Sequence, residues 1–580
     1  LKGLSYAERA RHEDRLASPL RKTTDGRFDP VPWEEALEEI AYRMKAIRDE
    51  AGPLSLLHYE GSGSHGALSA LADAFWHPFG GCTHAHGDLC WPAGLEATRL
   101  TYGDNRHHHP HLTRESRFVL LWGHNPAETN IHQWRLILEA QEKGARIAVV
   151  DPRSTDTTDL ADLHLKPRPG TDGALALGMA HVILSERLHD EEYLHRYAHG
   201  FDAYRERVTE FPPERVAEIT GLTGEEVRTL ATAYASTPPA LLIAGFGLQR
   251  HRHAGQAMRA VCLLPALTGN VGKPGGGWQY ANLASHVLRP PPGMPQAPPG
   301  PARSFPTSRL GWNLQNLSEP PLKGAWFEKA NPVSQHPRTA EVRKGLAGLD
   351  LVVVVDQFFT DTARMAHFVL PAKTLFEEED LVTAYWHPYV QLRQQVWEPP
   401  PGLFTETEIW RRLCVHFGFG TDAFDTDPDE RLRAMRPQGR EGALEELRGR
   451  AVDFSDFGEV AWSDGRFLTP SGKVEFSSQE AADLWEVDPV PDYASLPEGH
   501  EGPGAADYPL QLLTCKTRDR IHSQFGNLAM IQEVDRPRVL DIHPEDARAR
   551  GLEEGDLARI WNARGSASAP VRVNPGIRPG

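Results

Sequence analysis

The sequence predicts an α/β protein with two parallel-sheet halves of the dinucleotide-binding kind, followed by a small β-barrel. Three observations carry this. The first is a βαβ unit: the apolar run Phe118–Trp122, a turn at Gly123-His124-Asn125-Pro126, a helical pattern over 129–143, and a second apolar run, Ile147–Val150. That order implies parallel strands joined by a right-handed crossover. The second is a strand at Leu351–Val355 that ends in Asp356, as Ile147–Val150 ends in Asp151. Two strands with an acid at the carboxyl end suggest two nucleotide sites, because ligands of such sheets sit there. The third is a change to short strands after Tyr508: 510–514, 538–542, 557–561 and 567–573.

The elements follow in order. Residues 32–50 read as an amphipathic helix, with Trp33, Ala36, Leu37, Ile40, Ala41, Met44 and Ile47 on one stripe. Leu54–Tyr59 reads as a strand entering the turn Gly61-Ser62-Gly63-Ser64-His65-Gly66. Residues 226–235 read as a helix, 240–244 as a strand leading into Gly245-Phe246-Gly247, and 257–267 as a helix that ends before Gly269. Gly275-Gly276-Gly277 suits a close backbone approach. Residues 290–306 are Pro-rich and read as an extended surface connector. Phe368–Pro371 is a further strand, and 424–505 has no clear pattern.

Composition narrows the function. The 580 residues carry a net charge of −17 and no long basic run, which argues against nucleic acid and anionic membranes as partners. No apolar run approaches the ~20 residues of a membrane span. The five cysteines, Cys82, Cys90, Cys262, Cys414 and Cys515, form no CxxC pair. A reducing compartment, the cytoplasm, is expected. Leu1 and Gly580 both read as cut ends.

Several clusters could carry chemistry. Cys82, His84, His86 and Cys90 are spaced closely enough for zinc. Equally, Cys90 could be a thiolate ligand to a soft metal carried by an organic cofactor, presented by the turn Trp91-Pro92-Ala93-Gly94, or the group could be a free thiol among surface histidines. His107-His108-His109-Pro110-His111 reads as an exposed loop, and Glu377-Glu378-Glu379-Asp380 as a solvated helix start. No GxSxG, HExxH or P-loop pattern occurs, so hydrolase and ATPase readings lack support. Gly61-x-Gly63-x-x-Gly66 after the Leu54–Tyr59 strand is a Gly-rich strand-to-helix turn of a common kind, and by itself weak support for an NAD-dependent dehydrogenase.

With these pieces in order, nearly the whole chain resembles the molybdopterin oxidoreductases of the dimethyl sulfoxide reductase and formate dehydrogenase type. The resemblance rests on 122–126, 150–153, 169–174, 330–332, and Asp356 with Thr360-Asp361-Thr362-Ala363 ahead of Val369-Leu370-Pro371. It implies two interleaved Rossmann-like domains and a truncated C-terminal β-barrel. Their expected bounds are 51–85 with 318–480, then 86–317, then 505–580, with 1–50 a remnant of an N-terminal iron–sulfur and pterin domain. It also implies molybdenum or tungsten held between two pterin guanine dinucleotides.

Residue by residue, the resemblance gives Gly123, Asn125, Asp151, Arg153 and Asp172 to one nucleotide, and Asn331, Asp356 and Thr360 to the other. Gly245, Gly247 and His251 would lie near a pterin, and Thr514, Lys516, His522, Ser523 and Gln524 would cover one. Cys90 would hold the metal, with Trp91 beside it. Leu1-Lys2-Gly3 is similar to the residues that follow a 4Fe-4S cluster, so Lys2 would stand between pterin and a cluster carried ahead of this sequence. His367 stands where the family shows Asp, a change expected to alter a hydrogen bond to the second nucleotide.

The expected function is a two-electron redox reaction on a small substrate. Formate is not favoured, because Trp91 rather than His follows Cys90 and no Arg lies between Lys273 and Arg289. The electron partner would be a ferredoxin-like subunit or a quinone-linked module. A non-catalytic relative, such as the large iron–sulfur subunit of respiratory complex I, and an NAD-dependent dehydrogenase are the alternatives. Cys90 and the paired half-sites argue against the first.

Overall fold

A computed structural model describes residues 2–294, 303–436, 444–455, 457–535 and 537–580. The chain opens with α1 (Tyr6–Arg11) and a short hairpin, β1 (Leu20–Lys22) and β2 (Phe28–Pro30). The long helix α2 (Trp33–Ala51) buries the expected stripe of Ala36, Leu37, Ile40, Ala41, Met44 and Ile47 and stops at Gly52, whose φ of 85° few other residues adopt. Then come β3 (Leu56–Glu60), α3 (Ala72–Phe79) and β4 (Thr83–His86).

The chain next builds a separate sheet. Helix α4 (Pro92–Tyr102) leads to β5 (Phe118–Trp122), α5 (Ile131–Glu142), β6 (Arg146–Val150), β7 (Leu163–Leu165) and α6 (Asp172–Ser185). Strand β8 (Ala240–Ala244), α7 (Ala254–Leu267) and β9 (Gly277–Gln279) complete it. The order is β9-β8-β5-β6-β7, all parallel. These strands are buried on both faces, which is why they read as unbroken aliphatic runs instead of alternating ones. One face packs on α5 through Ile137, the other on α6 and α7.

The chain then returns to the first sheet with β10 (Arg303–Pro306), β11 (Gly324–Glu328), α8 (Thr339–Ala347), β12 (Leu351–Asp356) and β13 (Phe368–Pro371). The result is eight strands in the order β10-β4-β3-β11-β12-β13-β1-β2, in which only β1 runs against the rest. Helices α2, α3 and α9 (Glu406–Phe417) cover one face; α8 covers the other. The β1–β2 hairpin from 1–50 thus extends this sheet. So does β10, which the sequence reading left in a surface connector and in 86–317; residues 295–302 of that connector lie outside the described residues.

Of the four strands expected after Tyr508, three form: β14 (Leu540–Ile542), β15 (Leu557–Asn562) and β16 (Gly565–Val573), in the order β14-β16-β15. Residues 510–514 run irregularly.

Two further expectations fail. His107, His108 and His109 are buried: His108 Nε2 lies 2.8 Å from the Lys273 carbonyl, and His108 Nδ1 accepts the Ala461 N–H at 3.0 Å. Burial pushes His107 and His108 down to about 4, so they are neutral structural joints. Glu377 is also buried, in a two-pronged pair with Arg15 at 2.5 and 2.7 Å.

Candidate active site

Both sheets present their carboxyl ends to the candidate residues. At the first, Gly123 turns with φ 56° directly after β5, and its N–H donates to the Val150 carbonyl at 2.7 Å. Gly245 follows β8, where a Cβ would lie 1.8 Å from the Gly123 oxygen, so only glycine allows the two turns to meet. Thr157 Oγ1 donates to Asn125 Oδ1 at 2.5 Å, and the Ala127 N–H donates to Thr157 Oγ1 at 3.2 Å. The Arg153 N–H donates to Asp151 Oδ1 at 3.0 Å. Trp122 Nε1 donates to Asp172 Oδ1 at 2.8 Å, and His251 acts on the same carboxylate. Asp172 and His251 line one cavity with Gly170, Leu248 and Tyr493.

At the second sheet the same bonds recur with different numbers. Thr362 Oγ1 donates to Asn331 Oδ1 at 2.6 Å, and the Val333 N–H donates to Thr362 Oγ1 at 3.1 Å. The Gln357 and Phe358 N–H groups donate to Asp356 Oδ1 at 2.6 and 3.4 Å. Thr360 Oγ1 accepts the Ala363 N–H at 3.3 Å, as Thr155 Oγ1 accepts the Thr158 N–H at 3.3 Å. Burial pushes both Asp151 and Asp356 up to about 6, only partly offset by neighbouring N–H groups and arginines. Each carboxylate is therefore short of donors. Asn125 Nδ2 is likewise buried without a partner, a position that costs about 1–3 kcal/mol if left unfilled. An acceptor-lined pocket with one spare donor suits a purine base and its ribose. Gly247, with open space beside its Cα, leaves room for a ring system.

The Cys90 turn lies between the sheets. It leaves β4 of the eight-stranded sheet, and Asp88 Oδ1 accepts the Cys90 and Trp91 N–H groups at 2.5 and 3.0 Å. From the five-stranded sheet, Gln249 clamps it on both sides. Its Nε2 donates to the Cys90 carbonyl at 2.8 Å, and its Oε1 accepts the Ala93 N–H at 2.9 Å. The Tyr280 hydroxyl donates to the Trp91 carbonyl at 2.9 Å. Trp91, Phe246, Tyr280 and Tyr385 form a connected aromatic wall, with centroid separations of 4.9–5.6 Å. Burial and Asp88 push the Cys90 thiol up, while Arg250 and Lys516 pull it back. A metal or another cation would tip that balance to thiolate.

The N-terminal residues meet the 516–527 stretch beside this turn. Lys2 Nζ donates to the Arg518 carbonyl at 2.6 Å, and Arg9 donates to both Gln357 Oε1 and Gln524 Oε1 at 2.9 Å. Helix α1 thus ties the Asp356 end to residues 516–527. Lys516 Nζ lies 2.6 Å from His522 Nδ1, whose residue takes a φ of 52°. Cys515 lies in the field of Asp151 and Arg153, which brings the 514–516 stretch to the first strand-end group. Thr514 and Ser523 are exposed there.

Two expectations are corrected. His367 does not lie at a nucleotide end: its Nδ1 accepts the Val352 N–H at 2.9 Å, at the amino end of β12. Asp162 Oδ2 does the same for the Ile147 N–H at 2.7 Å, at the amino end of β6. The change from carboxylate to imidazole keeps an acceptor and touches no ligand end. The proposed Cys82–His84–His86–Cys90 group also separates. His86 Nδ1 lies on Ser304 Oγ at 3.0 Å and Cys90 faces Arg250. The sequence reading missed Gln249 and the threonines Thr157 and Thr362; the TDT triplets at 155–157 and 360–362 were the available signal.

The chain is similar to known proteins over most of its length. Residues 15–415 fit the model of the molybdopterin oxidoreductase family, and 510–580 that of the molydopterin dinucleotide binding domain. The chain is 33% identical to a probable oxidoreductase, YoaE, of Bacillus subtilis, over 99% of this chain and 85% of that protein. It is 29% identical to the dimethyl sulfoxide reductase DmsA of Escherichia coli, over 100% of this chain and 81% of that one. It is 27% identical to trimethylamine-N-oxide reductase 1 of the same organism, over 98% and 77%. The acetylene hydratase of Pelobacter acetylenicus shares the fold, with a TM-score of 0.84 over 100% of this chain and 86% of that one, at 24% identity. With its paired strand-end carboxylates and matches over most of its length, the chain belongs to the molybdopterin oxidoreductase family and is an enzyme of the dimethyl sulfoxide reductase type.

Proposed function

We propose that the chain holds a molybdenum or tungsten ion between two pterin guanine dinucleotides and reduces the oxo group of a small sulfoxide or N-oxide. The observation that carries this is the Cys90 turn, which Gln249 and Asp88 hold between two copies of one strand-end constellation. Gly123, Asn125, Asp151, Arg153 and Asp172 would hold one guanosine, and Asn331, Asp356 and Thr360 the other. Gly245, Gly247 and His251 would border one pterin, and Thr514, Lys516, His522, Ser523 and Gln524 the other. When bound, the group takes up and passes on two electrons at the metal.

The rest falls to the chain. Burial and Asp88 hold the Cys90 thiol up, and Arg250 and Lys516 offset them only in part. Cys90 Sγ would therefore serve as a thiolate once a metal supplies the remaining positive charge. Trp91, Phe246, Tyr280 and Tyr385 offer an aromatic surface that fits a small organic substrate better than an anion. Lys516 Nζ and His522 Nδ1 share a proton at 2.6 Å, both held below their ordinary values by burial. Reduction of one oxo group consumes two electrons and two protons and yields one water; Lys516 and His522 are the nearby groups able to supply protons. Lys2, on the Arg518 carbonyl, marks the side from which a 4Fe-4S centre and a ferredoxin-like or quinone-linked partner would deliver electrons. The unpaired spacing of the five cysteines suits the cytoplasm. No helix among the described residues is long and apolar enough to cross a membrane.

The test uses full-length protein. Denaturation should release about two guanine nucleotides per metal. Reduced dye should drive turnover with dimethyl sulfoxide or trimethylamine N-oxide. Cys90→Ala should abolish turnover and leave both nucleotides bound. A single nucleotide per metal, full activity of Cys90→Ala, or formate oxidation at ~10 per second or more would overturn the reading.

A further inference from the structure

A second cluster lies upstream of Cys90, on the face of the eight-stranded sheet that α3 and α9 cover. Side chains along a strand alternate between faces, so Cys82 and His84 point to the same side. Strand β3 runs parallel to β4 with His58 paired in register to His84. One ligand atom from each of His58, Cys82 and His84 lies within 4.8 Å of the other two. Cys82 Sγ and His84 Nε2 are 3.2 Å apart. Sulfur and nitrogen on one tetrahedral zinc ion, at bond lengths of ~2.3 and ~2.0 Å, stand about 3.5 Å apart.

The surroundings fit a metal. His58 Nε2 lies 3.2 Å from Glu328 Oε1, and Glu328 Oε2 accepts the Trp326 indole N–H at 3.2 Å. A carboxylate behind an imidazole fixes the ring and raises its basicity, as behind most metal-bound histidines. The rings of Trp76 and Trp410, 5.4 and 5.5 Å from the His58 ring, close the inner side against water. On the outer side Asp73, exposed on α3, acts on both Cys82 and His84. His84 is itself partly exposed.

We propose that His58, Cys82 and His84 bind a zinc-class divalent ion, with Asp73 or water as the fourth donor. Binding replaces the Cys82 S–H bond by a sulfur–metal bond and releases one proton to solvent, with no change of oxidation state. The ion joins β3 to β4, whose exit loop carries Cys90. The site is independent of the pterin reading, because none of its donors belongs to either strand-end group.

Cobalt(II) is the probe, titrated anaerobically into full-length protein. One equivalent should produce thiolate-to-cobalt charge-transfer absorption in the near ultraviolet with tetrahedral d–d bands, and zinc should displace it. Cys82→Ser should abolish the charge-transfer band, and His84→Ala should weaken binding at least ~10²-fold. Glu328→Gln should weaken it ~10–100-fold. Cys90→Ser should leave the band unchanged. Absence of a band in the parent protein, or its loss in Cys90→Ser, overturns the proposal; Cys82 and His84 would then share only a thiol–imidazole hydrogen bond. If Cys82→Ser fails to fold, the His84→Ala titration decides: unchanged affinity there also overturns the site.

Discussion

The two strand-end groups are one design written twice, and the departures between them are informative. Asn125 matches Asn331, Asp151 matches Asp356, Thr157 matches Thr362, and Asp162 matches His367, bond for bond. Where the first copy has Gly123 at φ 56°, the second has Lys329 at the same angle. Glycine reaches that region freely; lysine does so only if something else holds it there. Its ammonium is buried, donating to Glu60 Oε1 at 2.8 Å and Ser69 Oγ at 2.6 Å. Burial would lower the Lys329 pKa, but Glu406, Glu60 and Glu328 outweigh it and raise it. In both copies a neighbouring glycine turn approaches this backbone, Gly245 at Gly123 and Gly61 at Lys329; the second copy uses its side chain there as well, to anchor an acidic cluster.

Lys329→Met tests this difference most severely. It strands several carboxylates around an empty centre and should cost about 3–5 kcal/mol, read from denaturant unfolding. A cost under about 1 kcal/mol would mean that the cluster does not depend on the lysine.

The paired acids come next. Both titrate at about 6 in the folded protein, against an ordinary 3.8. The folded chain therefore binds more protons than the unfolded one between about pH 4 and 6. Their contribution is present below pH 4 and lost as pH rises through 6, by about 3 kcal/mol each. In cofactor-free protein, Asp151→Asn and Asp356→Asn should each raise stability at pH 7 and flatten that window, while each variant of the loaded enzyme loses nucleotide. If only one variant behaves so, the copies differ in function as well as at Gly123 and Lys329.

Thr157→Val and Thr362→Val remove one donor to an asparagine and one acceptor for a backbone N–H. Each should cost about 1–3 kcal/mol, and the two costs should agree within about 1 kcal/mol if the copies are equivalent. The smallest effect belongs to the strand-start acceptors. His367→Asp should change stability by less than about 1 kcal/mol and leave nucleotide content unaltered, as fits an acceptor at the amino end of β12. Burial, Arg43 and Lys22 push His367 down to about 4. It contributes its bond above pH 6.5 and loses it only as pH falls through 4.

Much of this was readable in advance. Strands β8 and β13 were foreseen to the residue, because unbroken aliphatic runs bounded by proline and glycine admit few other readings. The paired acids followed from strand ends. Strands β1, β2 and β10 were missed because three or four residues with polar side chains carry no usable period. His107–His109 and Glu377–Asp380 were misread as solvated because the partners that bury them, Lys273, Ala461 and Arg15, are remote in sequence. His58 escaped for the same reason: only the β3–β4 register brings it to Cys82.

The chain order of the eight-stranded sheet has a consequence for synthesis. Strand β3 ends at Glu60 and its neighbour β11 begins at Gly324; the whole five-stranded sheet is made between them. At about 5–20 residues per second on the ribosome, β3 waits roughly 15–50 s with its inner edge unpaired. The inserted sheet can fold as a unit in that interval, but the Asn331 and Asp356 end cannot exist until the nascent chain extends past Asp356. Neither the pairing of the two copies nor the pocket between them is available to a ligand before then, so loading the enzyme is a late event in the life of the polypeptide.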